Sequence, residues 1–373
     1  MSRMRIAMIG AKGVSSRGGG VEVHVRELGR RLVRMGHDVS VYTRPHYSHK
    51  RIKGYEGMNL RSIPTVNTKH LDAIVHTLLS AIDSLMKDFD ILHFHAIGPS
   101  SLCFIPKLAG KRVVCTIHGL DWKREKWGRF ARSCLKLGER AAVTIPDKTI
   151  AVSKAIQQYV TDTYEKDCRY IPNGVSLAQK AEARLITEKY FIKRNDFFLY
   201  LGRLVPEKGV HYLIQAYNKL ETRRKLVIAG SISHSEEYGN YLKNIAGKNN
   251  SILFAGHVEG RELQELFTNA YAYILPSEVE GLSIALLEAM SYGQCVIASN
   301  IVENTEVIGD KGWTFRNKDI ESLYGMLAFA DSNPEKVAMQ KQKAEEYILG
   351  RYSWDKVSLE TLEIYKSILQ KSK

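Results

Sequence analysis

The chain has 373 residues and a formal net charge of +14, a length that accommodates two domains with separate cores. Its apolar runs are shorter than the ~18 residues of a membrane-spanning helix, and its charged start leads directly into a predicted strand, so we expect no cleaved signal peptide. The five cysteines are scattered, odd in number and never in a Cys-x-x-Cys pair, so we expect reduced core residues and no zinc site.

Short β-rich runs alternate with amphipathic helical runs along the first half of the chain. Strands are predicted at residues 5–9, 38–43, 58–63, 91–94, 112–117 and 148–152, and helices at 21–35 and 70–87. Such alternation predicts an α/β fold in which a parallel sheet carries helices on both faces.

The second half repeats this plan, with strands predicted at residues 197–201, 225–229, 252–255, 272–275 and 295–298. We therefore predict two doubly wound, Rossmann-like domains, residues 1–172 and 173–373, divided near a Pro-Asn-Gly turn. A final amphipathic helix at about 353–370 is expected to pack back on the first domain. Ligands are expected at the carboxyl ends of the strands, in a central cleft that the domains face.

The net positive charge of the sequence lies wholly in its first half. Residues 1–172 hold 29 Lys and Arg against 15 Asp and Glu, whereas residues 173–373 hold 25 of each sign. The first half is therefore expected to face an anionic partner, for which nucleic acid and an acidic membrane surface are the two candidates.

The segment from Pro276 to Met290 indicates function more strongly than any other. A strand runs into a Pro-Ser turn, followed by Glu280 and by a predicted helix that carries Glu288. Eight helical residues rise ~12 Å, roughly the reach from the sugar of a nucleotide-sugar across its diphosphate to the ribose. The helix N-terminus near Ser283 would offer free N–H groups to a phosphate between the two carboxylates.

A second loop places two cations after the first strand of the second domain. Arg203 and Lys208 are five residues apart there, and both could neutralise the phosphates of a leaving diphosphate. Ordinary solvated side chains are the alternative interpretation.

A glycine run, Gly18 to Gly20, precedes the first helix and would let the backbone approach a phosphate. A dehydrogenase fingerprint is disfavoured, because Lys12 occupies the place of its second glycine and strand two ends in Thr43-Arg44 without an acidic residue. A flexible surface loop is the alternative.

His118 follows a predicted strand, which places it at the carboxyl edge of the first sheet, in a site or in a structural role. Asp121 and Trp122 lie beside it and are candidates for acceptor binding. Glu22 and His24, in the first turns of the helix after the glycine run, face either the cleft or solvent.

Residues 122–132 interleave aromatic and basic side chains, and basic residues continue to Arg140. This composition is typical of a membrane-surface segment or of nucleic-acid contacts. A helix that packs its aromatic side chains into the core is an equal alternative.

Together these motifs resemble the retaining nucleotide-sugar glycosyltransferases of glycosyltransferase family 4, which have the GT-B fold. The resemblance covers essentially the whole chain and is carried by segments 19–24, 36–39, 171–175, 202–209, 254–258 and 280–288. Residues 118–124 are similar to a bacterial polysaccharide subgroup that includes rhamnosyltransferase-like enzymes.

The resemblance implies a role for each matching residue. Arg203 and Lys208 match the pair that binds the donor diphosphate, Glu288 the acid on the ribose, Glu280 the acid on the donor sugar, and His118 a histidine close to the transferred sugar. The remaining implied donor contacts are the backbone of Gly281, Leu282 and Ser283 at the distal phosphate, His257 and Val258 beside the base, and Gly18, Gly19 and Gly20 over the phosphates. Ser283 departs from the glycine or proline common in the family.

The chemistry implied is transfer with retention, in which the acceptor hydroxyl attacks from the face that the diphosphate leaves and the leaving phosphate takes the proton. Arg203 and Lys208 would stabilise the departing charge, a role that bound metal plays in other transferases. No metal and no cofactor are therefore expected.

The expected partners are a nucleotide-diphosphate sugar, a glycan or lipid-linked acceptor in cell-surface polysaccharide synthesis, and the inner face of the cell membrane, which a cytoplasmic protein would meet through its basic half. Nucleic acid is not expected. Two alternatives remain, a nucleotide-sugar epimerase of the same fold and a basic nucleic-acid-binding or scaffold protein.

Overall fold

A computed structural model describes residues 3–14, 19–47, 53–66, 68, 71–124, 127–232 and 236–370. The chain divides into two compact units, Met1–Gly174 with Trp354–Lys373, and Val175–Ser353. The division thus falls two residues beyond the predicted boundary, and the last helix belongs to the first unit. A Cβ at Gly174 would lie 2.5 Å from the backbone nitrogen of Trp354, so only glycine lets the returning helix come this close.

The first unit consists of the following elements in chain order. Its strands are β1 (Arg5–Ile9), β2 (Asp38–Thr43), β3 (Gly54–Tyr55), β4 (Met58–Ser62), β5 (Ile91–His95), β6 (Val113–Ile117), β7 (Lys148–Ala151) and β8 (Arg169–Tyr170). Its helices before the division are α1 (Gly20–Arg34), α2 (Asp72–Leu85), α3 (Ile97–Ser100), α4 (Phe104–Leu108), α5 (Arg129–Thr144) and α6 (Lys154–Tyr164).

The described strands of the first unit form one sheet in the order β3-β4-β2-β1-β5-β6-β7-β8. All neighbours are parallel except the short β3–β4 pair. All residues of β5 and β6 are buried, because a parallel sheet is covered by helices on both faces, and this explains the continuous apolar runs in the sequence.

The second unit has strands β9 (Phe197–Leu201), β10 (Lys225–Ala229), β11 (Ile252–Gly256), β12 (Ala272–Leu275), β13 (Val296–Ser299) and β14 (Trp313–Phe315). Its helices are α7 (Leu185–Tyr190), α8 (Val210–Asn218), α9 (Glu236–Ala246), α10 (Gly260–Asn269), α11 (Ile284–Ser291), α12 (Val302–Ile308), α13 (Ile320–Ser332) and α14 (Pro334–Arg351). Helix α15 (Trp354–Gln370) completes the chain and packs on α1 of the first unit.

The strands of the second unit are all parallel and follow the order β11-β10-β9-β12-β13-β14 among the described residues. Numbered from the first strand of the unit, this is the 3-2-1-4-5-6 order of doubly wound nucleotide-binding sheets. The chain reverses its direction of winding between β9 and β12, so the loops after these two strands lie side by side where such sheets bind ligands.

The doubly wound architecture and each of the eleven predicted strands are confirmed, with ends that move by one residue at most. The structure adds β3, β8 and β14, which have two or three residues and are too short to show periodicity. The helix predicted from residue 70 begins at Asp72.

No helix within the described ranges combines the length and the apolar character needed to span a membrane.

Gly230 supports the loop after β9 and provides a stability test. Its φ of +153° is unfavourable for other residues, and a Cβ would lie 1.8 Å from the carbonyl oxygen of Gly202. We expect Gly230→Ala to lower the free energy of unfolding by more than about 2 kcal/mol. The matched change Gly325→Ala, in the exposed middle of α13 with open space around it, should raise it by about 0.5–1 kcal/mol. Equal thermal unfolding temperatures for both variants would contradict the packing described here.

Candidate active site

Two loops meet at the point in the second unit where the winding reverses. One loop follows β9 and contains Arg203 and Lys208, and the other follows β12 and contains Glu280. The amide of Glu278 donates to the carbonyl of Glu207 at 2.9 Å. Gly209 has a φ of +67°, and a Cβ there would lie 2.0 Å from the carbonyl oxygen of Pro276. The loops are therefore packed backbone against backbone, which fixes the relative positions of their charged side chains.

Lys208 and Glu280 form an ion pair and hydrogen bond across these loops. Their side chains are 16% and 8% exposed, respectively. Partial removal from water strengthens the attraction, and it also makes either charge costly when its partner is lost. The structure thus brings together the cation predicted at the diphosphate and the acid predicted at the sugar.

Glu288 lies in α11, whose N-cap is Ser283. The Ser283 hydroxyl accepts from the amide of Leu286, so a helix N-terminus lies between the two acidic residues as predicted. The predicted span of ~12 Å along one helix is wrong, however. The helix begins at Ile284, so Glu280 lies in the preceding loop and only part of the separation is helical.

The two acids share a neighbour in Tyr273, a fully buried residue of β12. Burial, with added contributions from the negative charges of Glu280 and then Glu288, raises the pKa of Tyr273 well above its usual range. Its hydroxyl donates to the carbonyl of Leu201 at 3.1 Å, at the end of β9. The negative charges of both carboxylates are therefore felt at one buried side chain of β12.

The other predicted donor residues occupy the same edge of this sheet. Arg203 is partly exposed, and its carbonyl accepts from the hydroxyl of buried Tyr200 at 3.0 Å. Gly281 is partly exposed, whereas Leu282 is buried. His257 and Val258 follow β11, at the outer strand of the sheet. His257 is exposed, 3.7 Å from Glu259, and Val258 is buried.

In the first unit, His118 belongs to a cluster that sequence reasoning did not assemble. His24 lies in α1, His95 ends β5, and His118 follows β6. Nδ1 of His95 and Nε2 of His118 are 3.2 Å apart, and the rings of His24 and His118 meet edge to face at 4.7 Å. His24 Nδ1 lies 2.8 Å from Oδ1 of Asn173.

These imidazoles are kept neutral by their surroundings. Burial lowers the pKa of His24 to about 4, against a usual 6.5, and the Asn173 hydrogen bond opposes this shift only in part. Burial also lowers the pKa of His95 and of His118 well below the usual range, and the neighbouring histidines add to the effect.

His93 extends the network to the C-terminal helix. Its Nδ1 lies 2.7 Å from the Tyr365 hydroxyl and its Nε2 2.7 Å from the Thr116 hydroxyl. Sequence reasoning missed His93 and His95. The signal was present, because two histidines at alternate positions of a fully buried strand share one face of the sheet and such side chains need polar partners.

The remaining predicted residues have structural partners. Glu22 is buried and accepts from the amide of Lys12 at 3.1 Å, so the suggestion that it faces solvent is wrong, and His24 is buried as well. Asp121 pairs with Arg124 at 2.8 Å. The Trp122 indole donates to buried Glu139 at 2.7 Å.

The glycine run is described only in part. Gly18 lies outside the described residues. Gly19 is the N-cap of α1, which begins at Gly20.

The chain also contains an Asp-x-Asp triplet, Asp88 to Asp90, a pattern that binds metal in other transferases. Asp90 accepts from the amide of Arg5 at 2.7 Å, and Asp88 contacts the Arg5 guanidinium at 3.4 Å. The triplet precedes β5 and therefore lies at the amino end of the strands, opposite the edge that carries His95 and His118.

Two doubly wound units, the second with paired charges at its switch point, have the architecture of the GT-B fold. Family models agree: residues 18–179 match Glycosyltransferase Family 4, and residues 183–347 match Glycosyl transferases group 1. The chain belongs to glycosyltransferase family 4.

Individual proteins are similar to this chain in sequence or in fold. An uncharacterized glycosyltransferase of Methanocaldococcus jannaschii is 25% identical, over 98% of this chain and 99% of the relative. A phosphatidyl-myo-inositol mannosyltransferase of Mycolicibacterium smegmatis is 26% identical, over 94% and 90%. The solved structure of Anabaena HepE in complex with UDP and glucose has a TM-score of 0.81 at 16% identity, covering 98% of this chain and 100% of that one.

The buried histidines predict how stability depends on pH. Unfolded His24 binds a proton near pH 6.5, whereas folded His24 resists protonation until about pH 4. The contribution of neutral His24 to the free energy of unfolding is therefore complete above pH 6.5. It is lost, by about 3 kcal/mol in total, as the pH falls from 6.5 to about 4. Urea unfolding from pH 7.5 to 4 should show a smaller loss of stability in His24→Gln than in the parent. The exposed-histidine control His46→Gln should follow the parent, and identical curves for all three chains would contradict this account.

Proposed function

We propose that this glycosyltransferase moves a sugar, with retention of configuration, from a nucleoside diphosphate sugar to a hydroxyl of a glycan or lipid-linked acceptor in polysaccharide synthesis. The observation that carries the proposal is the Lys208–Glu280 pair, held at the switch point of a doubly wound sheet. This is the place where sheets of this class bind nucleotides.

Each end of this pair has a chemical task in the proposal. The ammonium of Lys208, with the guanidinium of Arg203, neutralises charge that develops on the departing diphosphate. Glu280 accepts hydrogen bonds from the donor sugar. In the absence of donor the two side chains satisfy each other, so the buried carboxylate is never left uncompensated.

The N-terminus of α11 supplies the third contact. The first backbone N–H groups of an α-helix have no carbonyl partner in the preceding turn, and the helix dipole favours an anion at this end. A phosphate bound here leaves Glu288, one turn further along α11, to accept hydrogen bonds from the ribose.

The rest of the mechanism follows from the leaving group. The acceptor hydroxyl attacks from the face that the diphosphate leaves, and a phosphate oxygen takes its proton, so the reaction needs neither a strong protein base nor a metal at the diphosphate. His118 keeps its predicted role close to the transferred sugar. The relatives include a phosphatidyl-myo-inositol mannosyltransferase, which supports a lipid-linked acceptor and a hexose donor, with a deoxyhexose donor as the alternative.

Donor binding tests the proposal. We expect one of UDP, GDP, ADP and dTDP, or its sugar, to raise the thermal unfolding temperature by about 5–10 °C at a hundred times its dissociation constant, because it binds only the folded state. Lys208→Ala and Glu288→Ala should abolish the shift and lower kcat at least ~100-fold. The exposed residues Lys343 and Glu346 give the matched controls Lys343→Ala and Glu346→Ala, which should retain both.

NMR of the reaction products completes this experiment. A product that keeps the anomeric configuration of the donor supports retention. A new epimer formed from donor alone, without acceptor, would replace the proposal by the epimerase alternative.

We also propose that α5 docks the first unit on an anionic membrane surface. Phe130 is 83% exposed and Leu137 is 68% exposed, and seven residues, close to two turns, place them on one side of the helix. The exposed charges of α5 are all basic, namely Arg129, Arg132, Lys136 and Arg140. Its single acid, Glu139, is buried against Trp122.

Residues 122–132 had three interpretations, namely a membrane-surface segment, nucleic-acid contacts and a helix with its aromatic side chains in the core. Phe130 does not pack into the core, as the alternative required. Exposed apolar side chains among cations match a lipid surface, where each Lys or Arg contributes about 1 kcal/mol on anionic lipid.

Vesicle flotation tests the docking surface. We expect the chain to float with phosphatidylglycerol-containing vesicles, and Phe130→Ser and Arg132→Glu each to weaken this binding about tenfold or more. Phe191 of the second unit is also 83% exposed, so Phe191→Ser is the matched control and should bind like the parent. Equal binding to purely neutral vesicles, or unchanged binding of both α5 variants, would refute the proposed surface.

A further inference from the structure

We propose that His24, His95 and His118 form a binding site for a divalent transition metal ion, with zinc as the ion that the donor set favours. The proposal concerns the first unit only and goes beyond the donor chemistry of Lys208 and Glu280. It stands on the positions of three side chains.

The three imidazoles converge. Each offers one ring nitrogen, and these three atoms lie within 4.8 Å of one another. Ligand nitrogens bound to tetrahedral zinc at 2.0–2.1 Å are about 3.3 Å apart. The separation of 3.2 Å between Nδ1 of His95 and Nε2 of His118 matches one edge of such a tetrahedron, and the His24 nitrogen lies within 4.8 Å of both atoms.

The surrounding structure orients the ligands as in metal sites. The amide oxygen of Asn173 lies 2.8 Å from Nδ1 of His24, so this nitrogen carries the proton and Nε2 keeps its lone pair. A hydrogen bond of this kind typically fixes the tautomer of a metal-binding histidine. The three ligands come from separate elements, namely α1 for His24, the end of β5 for His95 and the loop after β6 for His118. The tertiary structure of the first unit therefore holds the cluster together.

His95 presents Nδ1 to the cluster and directs Nε2 away from it. It is fully buried, yet its Nε2 has no hydrogen-bond partner within the described part of the chain, although buried polar atoms are rarely left unsatisfied. Its Nδ1 faces a nitrogen of another neutral imidazole. A neutral imidazole with its one proton on Nε2 has the lone pair of Nδ1 directed at the cluster, where an ion can accept it.

The donor set selects the metal. Three imidazoles without a thiolate suit zinc and its first-row neighbours rather than magnesium or calcium, which prefer oxygen. Three protein ligands leave a fourth position open for water or another ligand. An ion here would engage His118, which the proposed function places close to the transferred sugar, so we expect zinc to inhibit the transfer. That consequence rests on the proposed function, whereas metal binding does not.

Metal binding to the whole, untagged chain tests the site. After removal of metal with a chelator, addition of zinc and removal of the excess by desalting, we expect one zinc ion per chain by elemental analysis, and X-ray absorption at the zinc edge should show three imidazole ligands. Cobalt should give the intense visible absorption of four-coordinate Co²⁺. Protein that binds no zinc, or zinc with fewer than two imidazoles, would overturn the proposal whatever the catalytic activity.

Variants locate the ion. His24→Asn and His118→Asn should lose stoichiometric zinc, and Asn173→Ala, which spares all three ligands, should weaken binding about 10- to 100-fold. The exposed-histidine control His46→Asn should bind like the parent. Circular dichroism identifies any variant that fails to fold, and the absorption measurement on the parent then decides. Parent-like zinc binding by folded His24→Asn and His118→Asn would contradict the assignment.

Discussion

The contact on which the rest of the second unit depends is the close approach of two backbones, at Gly209 and Pro276. Because no side chain fits between them, the loops after β9 and β12 behave as one rigid piece. The Lys208–Glu280 pair is built on this piece, and the helix that carries Glu288 leaves from it. The positions of three charges are thus set by a glycine with a left-handed φ, a conformation that other residues adopt only with strain.

The sheet order explains why these loops are neighbours. Strands β9 and β12 are separated by more than seventy residues of sequence yet pair directly in the sheet, because the chain winds outward in one direction, returns to the centre and winds in the other. The same reversal in the first unit places β1 beside β5, and the histidine cluster gathers at that point. One topological rule therefore accounts for the location of both groups of functional side chains.

How far the sequence predicts the molecule differs between fold and site. Buried parallel strands are continuous apolar runs, so β9 and β12 could be placed to the residue, whereas two-residue strands such as β3 carry no pattern. Glu280 and Lys208 could be proposed singly, but their ion pair depends on a backbone contact over a long stretch of chain. The cluster around His95 was missed because a histidine in an apolar run shows neither its partner nor its protonation state until the neighbouring strands are in place.

The two units differ in the charge state of the side chains at their switch points. In the second, a cation and an anion are brought together at partial burial, where attraction compensates for lost hydration. In the first, which carries the whole basic excess of the sequence, three histidines gather at the switch point and burial keeps them neutral. A neutral imidazole costs little free energy to bury when its N–H group is hydrogen-bonded. The lone pair of its other nitrogen then remains available to a cation or a hydroxyl. The basic residues of α5, in contrast, lie on the surface, where water solvates them and an anionic partner can reach them.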